Sequence, residues 1–293
     1  MSFRLALVGA GRMGAAHARA LASSREVEVA CVVDPSDLAA AQVDAPRASL
    51  ADLPDVDGAL VAVPTRFHLE VMTRLAELGL PVLCEKPCGL TAAETRQIAS
   101  LPTRVQVAYW RRFVPVLCDL RERIGNGDLG DLVYADSAEL DEYPPARGFR
   151  DPASSGGIVV DMGVHEFDQL RWLSGQEIVG VAGAAGAVDW DDPVPGDPEL
   201  VTISLRLDGG LVATTTLARR YPPGEVCRIE VVGLESAERI EFVAPPDGDQ
   251  TIAAALRAQA EDFARGGGEG ATMDDAVIAM EVAERAKAAL GLP

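Results

Sequence analysis

Basic side chains are scarce in this sequence, and lysine is almost absent from it. The 293 residues contain 26 Lys plus Arg against 45 Asp plus Glu, a formal net charge of −19 at pH 7. This balance argues against nucleic acid as a partner, because phosphate binding needs a basic face. Only two of the basic residues are lysines, Lys86 and Lys287. Lysine, unlike arginine, can lose its proton when buried, so Lys86 is a candidate functional residue, with drift in composition as the alternative.

Long apolar runs and an even number of cysteines are also missing. No run approaches the ~18 apolar residues of a membrane helix, and Met1–Val8 resembles a strand rather than a signal peptide. We therefore expect a cytoplasmic protein without a membrane partner. The five cysteines are an odd number, which disfavours a disulfide framework. Cys84 and Cys88 form one close pair, but no second pair or nearby His completes a zinc site, so we predict no metal.

The length suggests two domains, and the first is predicted in residues 1–112. There, short apolar runs alternate with helical patterns, as in a parallel sheet covered by helices. The predicted fold class is α/β, a Rossmann doubly wound parallel sheet. The predicted strands are Arg4–Val8, Val27–Val33, Gly58–Val63, Pro81–Cys84 and Arg104–Ala108, and the predicted helices are Met13–Ala22, Phe67–Leu78 and Ala92–Ser100.

Residues 113–293 have a different hydrophobic periodicity, with several alternating strands in succession. This pattern predicts an α+β C-terminal domain with a mostly antiparallel sheet. A hairpin is expected at Asp208-Gly209-Gly210. The predicted helices are Val116–Ile124, Asp161–Leu173, Ile252–Ala264 and Met273–Leu290, and the predicted strands are Leu132–Leu140, Ile178–Ala187, Leu200–Leu207, Leu211–Leu217, Arg228–Val232 and Ala237–Val243.

A glycine-rich segment joins the first predicted strand to the first helix. Its fingerprint positions are Gly9, Gly11 and Gly14, with Arg12 and Met13 between them. Such glycines allow a tight turn, close approach of the backbone to a pyrophosphate and close helix packing, while the helix N-terminus favours the anion. The segment predicts a dinucleotide site, and a glycine turn without a ligand is the alternative. Arg12 is expected either to contact phosphate or to lie solvated.

Asp34 ends the second predicted strand, 34 − 14 = 20 residues beyond Gly14. An acidic side chain at this place accepts hydrogen bonds from the ribose hydroxyls and repels a 2′-phosphate. No arginine follows immediately, since the next residues are Pro35 and Ser36. The predicted cofactor is therefore NAD, with NADP less favoured.

Lys86 lies in the segment Cys84-Glu85-Lys86-Pro87, where a predicted strand reaches the carboxyl edge of the sheet. Open α/β sheets bind ligands at that edge, so the ammonium can stabilise negative charge on a substrate oxygen. A surface lysine at a strand end is the alternative. We also predict a cis peptide bond between Lys86 and Pro87.

A second candidate cluster surrounds His165. If Asp161–Leu173 is one helix, Asp161, His165, Asp168 and Trp172 share a face. A carboxylate can fix the tautomer of an imidazole and raise its basicity, which makes His165 a candidate general base. A structural ion pair in a helix is the alternative interpretation.

Over essentially the whole chain, these segments resemble the glucose-fructose oxidoreductase/inositol dehydrogenase/rhizopine catabolism (Gfo/Idh/MocA) oxidoreductase family. The resemblance rests on the glycine fingerprint, the Val63–His68 segment, Glu85-Lys86-Pro87, and Gly156-Gly157 followed by Asp161 and His165. It implies a Rossmann domain and a second domain whose sheet commonly mediates oligomers, so a homodimer or homotetramer is expected. It also implies that Lys86, Asp161 and His165 form the catalytic set and contact the substrate.

Inositol and related sugar or cyclitol dehydrogenases are the most similar members. The resemblance implies that Trp110 and Arg111 line a polyol pocket, and that Pro64, Glu85 and Lys86 border the cofactor. His68 either contacts the cofactor or packs its helix. The chain departs from these enzymes around Tyr221–Val226, where they tend to carry a Tyr-Asp element, so the resemblance does not fix the substrate. His17, beside the glycine loop, is expected to be structural.

The predicted activity is hydride transfer between a secondary alcohol or ketone of a sugar or cyclitol and the nicotinamide of NAD. His165 is expected to take the hydroxyl proton, Lys86 to stabilise the alkoxide and Asp161 to orient His165. Two alternatives remain open: an NAD-dependent glycoside hydrolase of the same fold, and a non-catalytic dinucleotide sensor that binds partner proteins.

Overall fold

The protein forms two compact units in a computed structural model that describes residues 2–186 and 193–293. The first unit comprises Met1–Phe113 with Ala253–Val277, and the second comprises Val114–Ile252 with Ile278–Pro293. The first unit therefore includes a late segment that the boundary predicted after residue 112 assigns to the second domain. This segment belongs there because Ala260 and Phe263 are buried in the core of the first unit with Leu5 and Leu7.

The first unit follows the predicted alternation of strands and helices. Its elements are β1 (Phe3–Val8), α1 (Arg12–Leu21), β2 (Val27–Val33), α2 (Asp37–Ala40), β3 (Gly58–Val61), α3 (His68–Glu77), β4 (Val82–Cys84), α4 (Ala92–Ala99) and β5 (Val105–Val107), with 3₁₀ turns at Thr65–Phe67 and Trp110–Phe113. Thr91 caps α4, because its hydroxyl accepts a hydrogen bond from the Glu94 amide. Apolar strand residues are buried on both sides, which explains their short, uninterrupted apolar runs.

The sheet of the first unit has the strand order β2-β1-β3-β4-β5, and all its pairs are parallel. The chain reverses its winding between β1 and β3, so the carboxyl ends of these strands flank the point where such sheets bind ligands. The segment after β1 is the glycine-rich one, and the segment after β4 contains Lys86. The predicted Rossmann fold is confirmed.

The second unit is an α+β domain. Its elements are α5 (Pro115–Gly125), β6 (Leu132–Leu140), α6 (Arg147–Arg150), α7 (Pro152–Ser155), α8 (Ile158–Asp161), α9 (Gly163–Ser174), β7 (Ile178–Gly186), β8 (Leu200–Leu207), β9 (Val212–Ala218), β10 (Val226–Gly233) and β11 (Ala237–Val243). Two long helices, α10 (Gly248–Arg265) and α11 (Met273–Leu290), contribute residues to both units. Ala187, predicted to end the seventh strand, lies outside the described residues.

The six strands of the second sheet follow the order β11-β10-β6-β9-β8-β7. Only the β6–β9 pair is parallel among these described strands, which confirms a mostly antiparallel sheet. The predicted hairpin joins β8 and β9, and Gly210 in its turn has φ +95°, a conformation that favours glycine.

The helix predicted over Asp161–Leu173 is wrong in its first turn. Asp161 is the last residue of the short helix α8, and α9 begins at Gly163, after a turn at Met162. Every residue from Ile158 to Leu170 is buried, whatever its polarity. No exposed face marks a helical period here, so the sequence pattern does not reveal the break.

The structure bears on three predicted absences. Within residues 2–186 and 193–293, no three His, Cys, Asp or Glu side chains are grouped as a metal site would require. No described helix combines the length and the apolar character needed to cross a bilayer. All five cysteines lie in the described part of the chain, and each is a free thiol.

Candidate active site

The glycine-rich loop closes tightly against the end of β3. Gly9 has φ +97°, and a Cβ atom there would lie 2.6 Å from the carbonyl carbon of Ala62. At Gly14 an added Cβ would lie 2.0 Å from the carbonyl oxygen of Gly9. Any side chain at either position would thus collide with backbone, so the fold itself requires these two glycines.

Gly11 differs from its neighbours because a Cβ atom there would meet no described atom within 4 Å. It is the N-cap of α1, where no side chain caps the helix and no acidic residue lies in the first turn. Arg12 is exposed and Met13 is half-buried. The helix N-terminus is thus open to an anion, and its partial positive charge fits the pyrophosphate of a dinucleotide.

Asp34 directly follows β2 and is half-buried beside the loop. One carboxylate oxygen accepts a hydrogen bond from the Ala10 amide, and the other accepts one from the Ser36 amide, each over 2.7 Å. Asp34 therefore fixes the glycine loop as well as placing a negative charge at the end of β2. Each oxygen keeps acceptor capacity for a hydroxyl group.

Arg47, 13 positions further along the chain, also contacts Asp34. Arg47 Nη2 donates to the backbone carbonyl of Asp34 over 2.9 Å, and its other terminal nitrogen pairs with Asp37. The residues just after Asp34 gave no sign of this guanidinium. Because Asp37 already pairs with it, the local charge does not become positive.

Lys86 follows Glu85, the residue directly after β4, and is half-buried. The Lys86–Pro87 peptide bond is cis, as predicted. Glu85 is buried, its amide donates to the Val61 carbonyl, and its carboxylate accepts a 3.1 Å hydrogen bond from the Lys86 amide. The backbone of the lysine is thus fixed to the carboxyl end of the sheet.

His68 begins α3 and is buried. Its Nε2 lies 2.9 Å from the Val63 carbonyl oxygen, and its Nδ1 lies 3.2 Å from that of Cys88. Burial lowers the pKa of His68 despite these two carbonyls. Both ring nitrogens thus serve the packing of α3, while exposed Pro64 precedes the 3₁₀ turn before this helix. Cofactor contact by Pro64 and His68 stays a prediction.

Asp161 is paired with an arginine that the sequence analysis missed. Arg219, directly after β9, is fully buried, and its Nη1 donates to Asp161 Oδ2 over 2.7 Å. Its Nη2 donates to Asp197 Oδ1 over 3.3 Å, and the same oxygen accepts the Ile158 amide at the start of α8. Arg219 thus joins the end of α8 to two distant segments. The only feature of the sequence that could have pointed to this buried ion pair is the position of the arginine, directly after the apolar pair Leu217-Ala218.

The charged groups of this cluster shift one another's pKa values. Burial alone would lower the pKa of Arg219, but the carboxylates of Asp161 and Asp197 raise it above its ordinary value. Burial raises the pKa of Asp197 although Arg219 opposes that shift. The guanidinium thus stays charged beside Asp161.

His165 lies in the first turn of α9 and is 4% exposed. Asp168 is buried within the same helix, and half-buried Trp172 follows one turn later. These three positions keep the helical spacing that the sequence predicts. Asp161 does not belong to that helix, because the turn at Met162 separates it from α9.

Trp110 and Arg111 begin the 3₁₀ turn that follows β5, and both are buried. The Arg111 guanidinium carbon lies 5.8 Å from the centroid of the Trp110 ring. A planar cation beside an aromatic ring can offer both hydrogen-bond donors and an apolar surface to a polyol. Their role in binding a substrate stays a prediction.

Two family models match the chain, one on each side of the boundary near residue 113. A family model described as "Oxidoreductase family, NAD-binding Rossmann fold" matches residues 3–113. A model described as "GFO/IDH/MocA C-terminal domain" matches residues 118–237. The first match covers the glycine loop, Asp34 and Lys86, and the second covers Asp161, His165 and Arg219.

Known proteins resemble the chain over nearly its full length. It is 44% identical to the rhizopine catabolism protein MocA of Rhizobium meliloti, over 97% of this chain and 94% of that protein. It is 31% identical to an inositol 2-dehydrogenase of Rhizobium meliloti strain 1021, over 84% of this chain and 77% of that enzyme. A crystal structure of a putative myo-inositol dehydrogenase from Sinorhizobium meliloti superimposes with a TM-score of 0.88 at 26% identity, covering 99% and 98% of the two chains.

Proposed function

Because the chain belongs to the GFO/IDH/MocA family of NAD-binding oxidoreductases, we propose that it is an NAD-dependent dehydrogenase of an inositol-like cyclitol or sugar. It would oxidise a secondary alcohol of that substrate or reduce the matching ketone. The observation that carries the proposal is the 44% identity to MocA across both units, supported by inositol dehydrogenases among the relatives. Neutral polyols need no basic pocket, so a net charge of −19 is compatible with them.

The glycine loop, the open N-terminus of α1 and Asp34 are the groups that would hold NAD, with Glu85 and Lys86 at its border. NAD, when bound, supplies the hydride acceptor. The protein then has to bind the polyol, remove a proton from its hydroxyl and stabilise the resulting negative charge.

Lys86 would stabilise the alkoxide. At an effective dielectric of 20, two unit charges ~4 Å apart attract each other by about 4 kcal/mol, which corresponds to roughly a thousandfold in rate. His165 would take the hydroxyl proton as general base. Asp161, held by the hydrogen bond from Arg219, would orient the imidazole and accept a hydrogen bond from the substrate.

Turnover assays with a panel of substrates test this function. Purified protein is mixed with NAD and, in turn, with inositols, aldoses, a rhizopine and aryl glycosides, while the absorbance of reduced nicotinamide is followed. Net NADH formation with a cyclitol or sugar supports the dehydrogenase. Glycoside cleavage without net NADH would instead identify a hydrolase, and NAD binding without any turnover would identify a sensor.

The preference for NAD over NADP is tested at Asp34. Its carboxylate would repel a 2′-phosphate by ~1 to 4 kcal/mol at 4 Å, between the dielectric of water and an effective value of 20. We expect Asp34→Ser to raise kcat/KM with NADP relative to NAD by about tenfold or more. The exposed Asp44→Ser, in the segment after α2, is the control for a simple change in net charge. An unchanged cofactor ratio in Asp34→Ser would contradict this role.

His165→Asn tests the general base. Asparagine keeps a polar side chain but cannot take up a proton near neutral pH. We expect kcat to fall by about 100-fold, and the rise of kcat/KM between about pH 5 and 8 to flatten. Steady-state kinetics across this range measure both effects. A variant that keeps the wild-type pH profile would show that another group removes the proton.

A further inference from the structure

His17 contacts the segment that contains Lys86, which its position in the first helix did not suggest. It lies in α1, is fully buried, and its Nε2 donates a hydrogen bond to Glu85 Oε1 over 2.6 Å. The two residues are 68 positions apart in sequence and belong to the same compact unit. The pair therefore connects the helix of the glycine loop to the end of β4.

The two carboxylate oxygens of Glu85 accept hydrogen bonds from two different groups. Oε1 accepts a hydrogen bond from His17 Nε2, while Oε2 accepts a hydrogen bond from the backbone N–H of Lys86 over 3.1 Å. The Glu85 amide in turn donates to the Val61 carbonyl of β3. The carboxylate is thus fixed between the imidazole and the lysine backbone, and a rotation of the carboxylate would disturb both bonds.

Electrostatics keeps this buried carboxylate charged. Burial alone would raise the pKa of Glu85, but the hydrogen bond and charge of His17, together with the charge of Lys86, lower it below its ordinary value. Glu85 therefore brings a full negative charge next to the half-buried Lys86.

Packing alone does not explain the presence of such a pair. Apolar side chains of similar volume often fill a buried site at least as stably as an ion pair does, because they need no desolvation of charge. A polar pair at this position is better explained by a need to orient the Glu85 carboxylate, since hydrogen bonds fix the angle and distance of the groups that they join.

We propose that His17 is a positioning residue for Lys86 and acts through Glu85. His17 holds the Glu85 carboxylate in one orientation, and the carboxylate holds the backbone of Lys86 and places a negative charge beside its ammonium. The inference rests on the role of Lys86 in the proposed function. Small misplacements of a catalytic group can cost up to about 100-fold in rate, so we expect loss of the hydrogen bond to lower kcat by about 10- to 100-fold.

Three substitutions of His17 separate the effect of its hydrogen bond to Glu85 from the effect of the space that its side chain fills. His17→Leu fills the space without a donor, and the shorter His17→Asn keeps a donor that does not reach Glu85. His17→Gln carries an amide N–H at a reach similar to that of Nε2. We expect the first two to lower kcat while the dissociation constant of NAD, measured by calorimetry, stays within about twofold, and we expect His17→Gln to recover most of the rate.

Leu21→Ala is the matched control. Leu21 is a buried residue of the same helix, one turn further on, and it packs in the apolar core of the unit. This substitution lowers the melting temperature of the protein without removing a hydrogen bond to Glu85. If Leu21→Ala reduces kcat as much as His17→Leu does, the positioning role is overturned.

The near absence of lysine permits a second measurement that needs no turnover. Protein labelled with [¹³Cε]lysine gives two side-chain signals, from Lys86 and Lys287, and Lys287→Arg assigns them. We expect His17→Leu and His17→Asn to move the Lys86 signal by more than its linewidth, and His17→Gln to return it. The Lys287 signal should stay in place in all three variants.

The two measurements distinguish the possible failures. If the wild type oxidises no polyol, the proposed function fails, while the lysine signals still decide whether His17 positions Lys86. An unmoved Lys86 signal in both His17→Leu and His17→Asn would overturn the inference, whatever the activity of the protein.

Discussion

Replacement of Lys86 by methionine is expected to lower kcat by about a thousandfold while NAD binding is retained. Methionine keeps much of the length and apolar character of the side chain but removes the positive charge. The positive charge stabilises the alkoxide by about 4 kcal/mol, for two unit charges ~4 Å apart at an effective dielectric of 20. Steady-state kinetics with the best cyclitol substrate measure the loss, and calorimetric titration with NAD shows whether the cofactor still binds.

Lys86→Arg is the sharper variant. Arginine keeps the charge but spreads it over a planar fork that does not lose its proton, so we again expect a severe loss of turnover. Lys287→Met, at the other lysine of the chain, is the matched control and should keep wild-type rates. Near-normal turnover by Lys86→Arg would show that positive charge alone suffices at this position, and would refute a specific requirement for the compact ammonium group of lysine.

Arg219→Met is expected to destabilise the fold by about 3 to 5 kcal/mol, the usual cost of removing one partner from a buried ion pair. The cost is large because Asp161 and Asp197 both lose a donor, and the side chain of Asp197 is fully buried. Urea denaturation followed by circular dichroism measures the change. We also expect kcat to fall, because Asp161 loses the hydrogen bond that holds its carboxylate in place.

Two further variants test the cause of this destabilisation. Arg220→Met alters the next residue, which is exposed, so its effect should stay within about 1 kcal/mol, as is typical of surface charges. Adding Asp197→Asn to Arg219→Met removes one of the two orphaned charges and should restore part of the lost stability. If the double variant is less stable than Arg219→Met, the destabilisation does not come from unpaired charge.

The sequence predicts most of the fold because the signals of the first unit are local. The glycine fingerprint lies next to a short apolar strand, and the Thr91 cap lies next to the helix that it begins. These neighbours in sequence are also neighbours in space. The segment at 253–277 has no comparable signal, since an apolar helix face does not specify which core it will join.

The candidate site is less predictable because its decisive contacts are distant in sequence. Arg219 is 58 positions from Asp161, and His17 is 68 positions from Glu85. Residue type, spacing and the family resemblance made Lys86, Asp161 and His165 candidates, but no pattern indicated the buried partners of Asp161 and Glu85. The break between α8 and α9 is hidden for another reason, because its residues are buried on every side and show no helical period.

The return of residues 253–277 to the first unit has a consequence for synthesis on the ribosome. The rings of Phe3 and Phe263 pack in a T-shaped arrangement with centroids 5.7 Å apart, although 263 − 3 = 260 positions separate them in sequence. The apolar side chains of β1 therefore await a late helix before their shared core is complete. A nascent chain ending at Phe113 would leave this surface uncovered, so the core of the nucleotide-binding unit is complete only after Phe263 has been made.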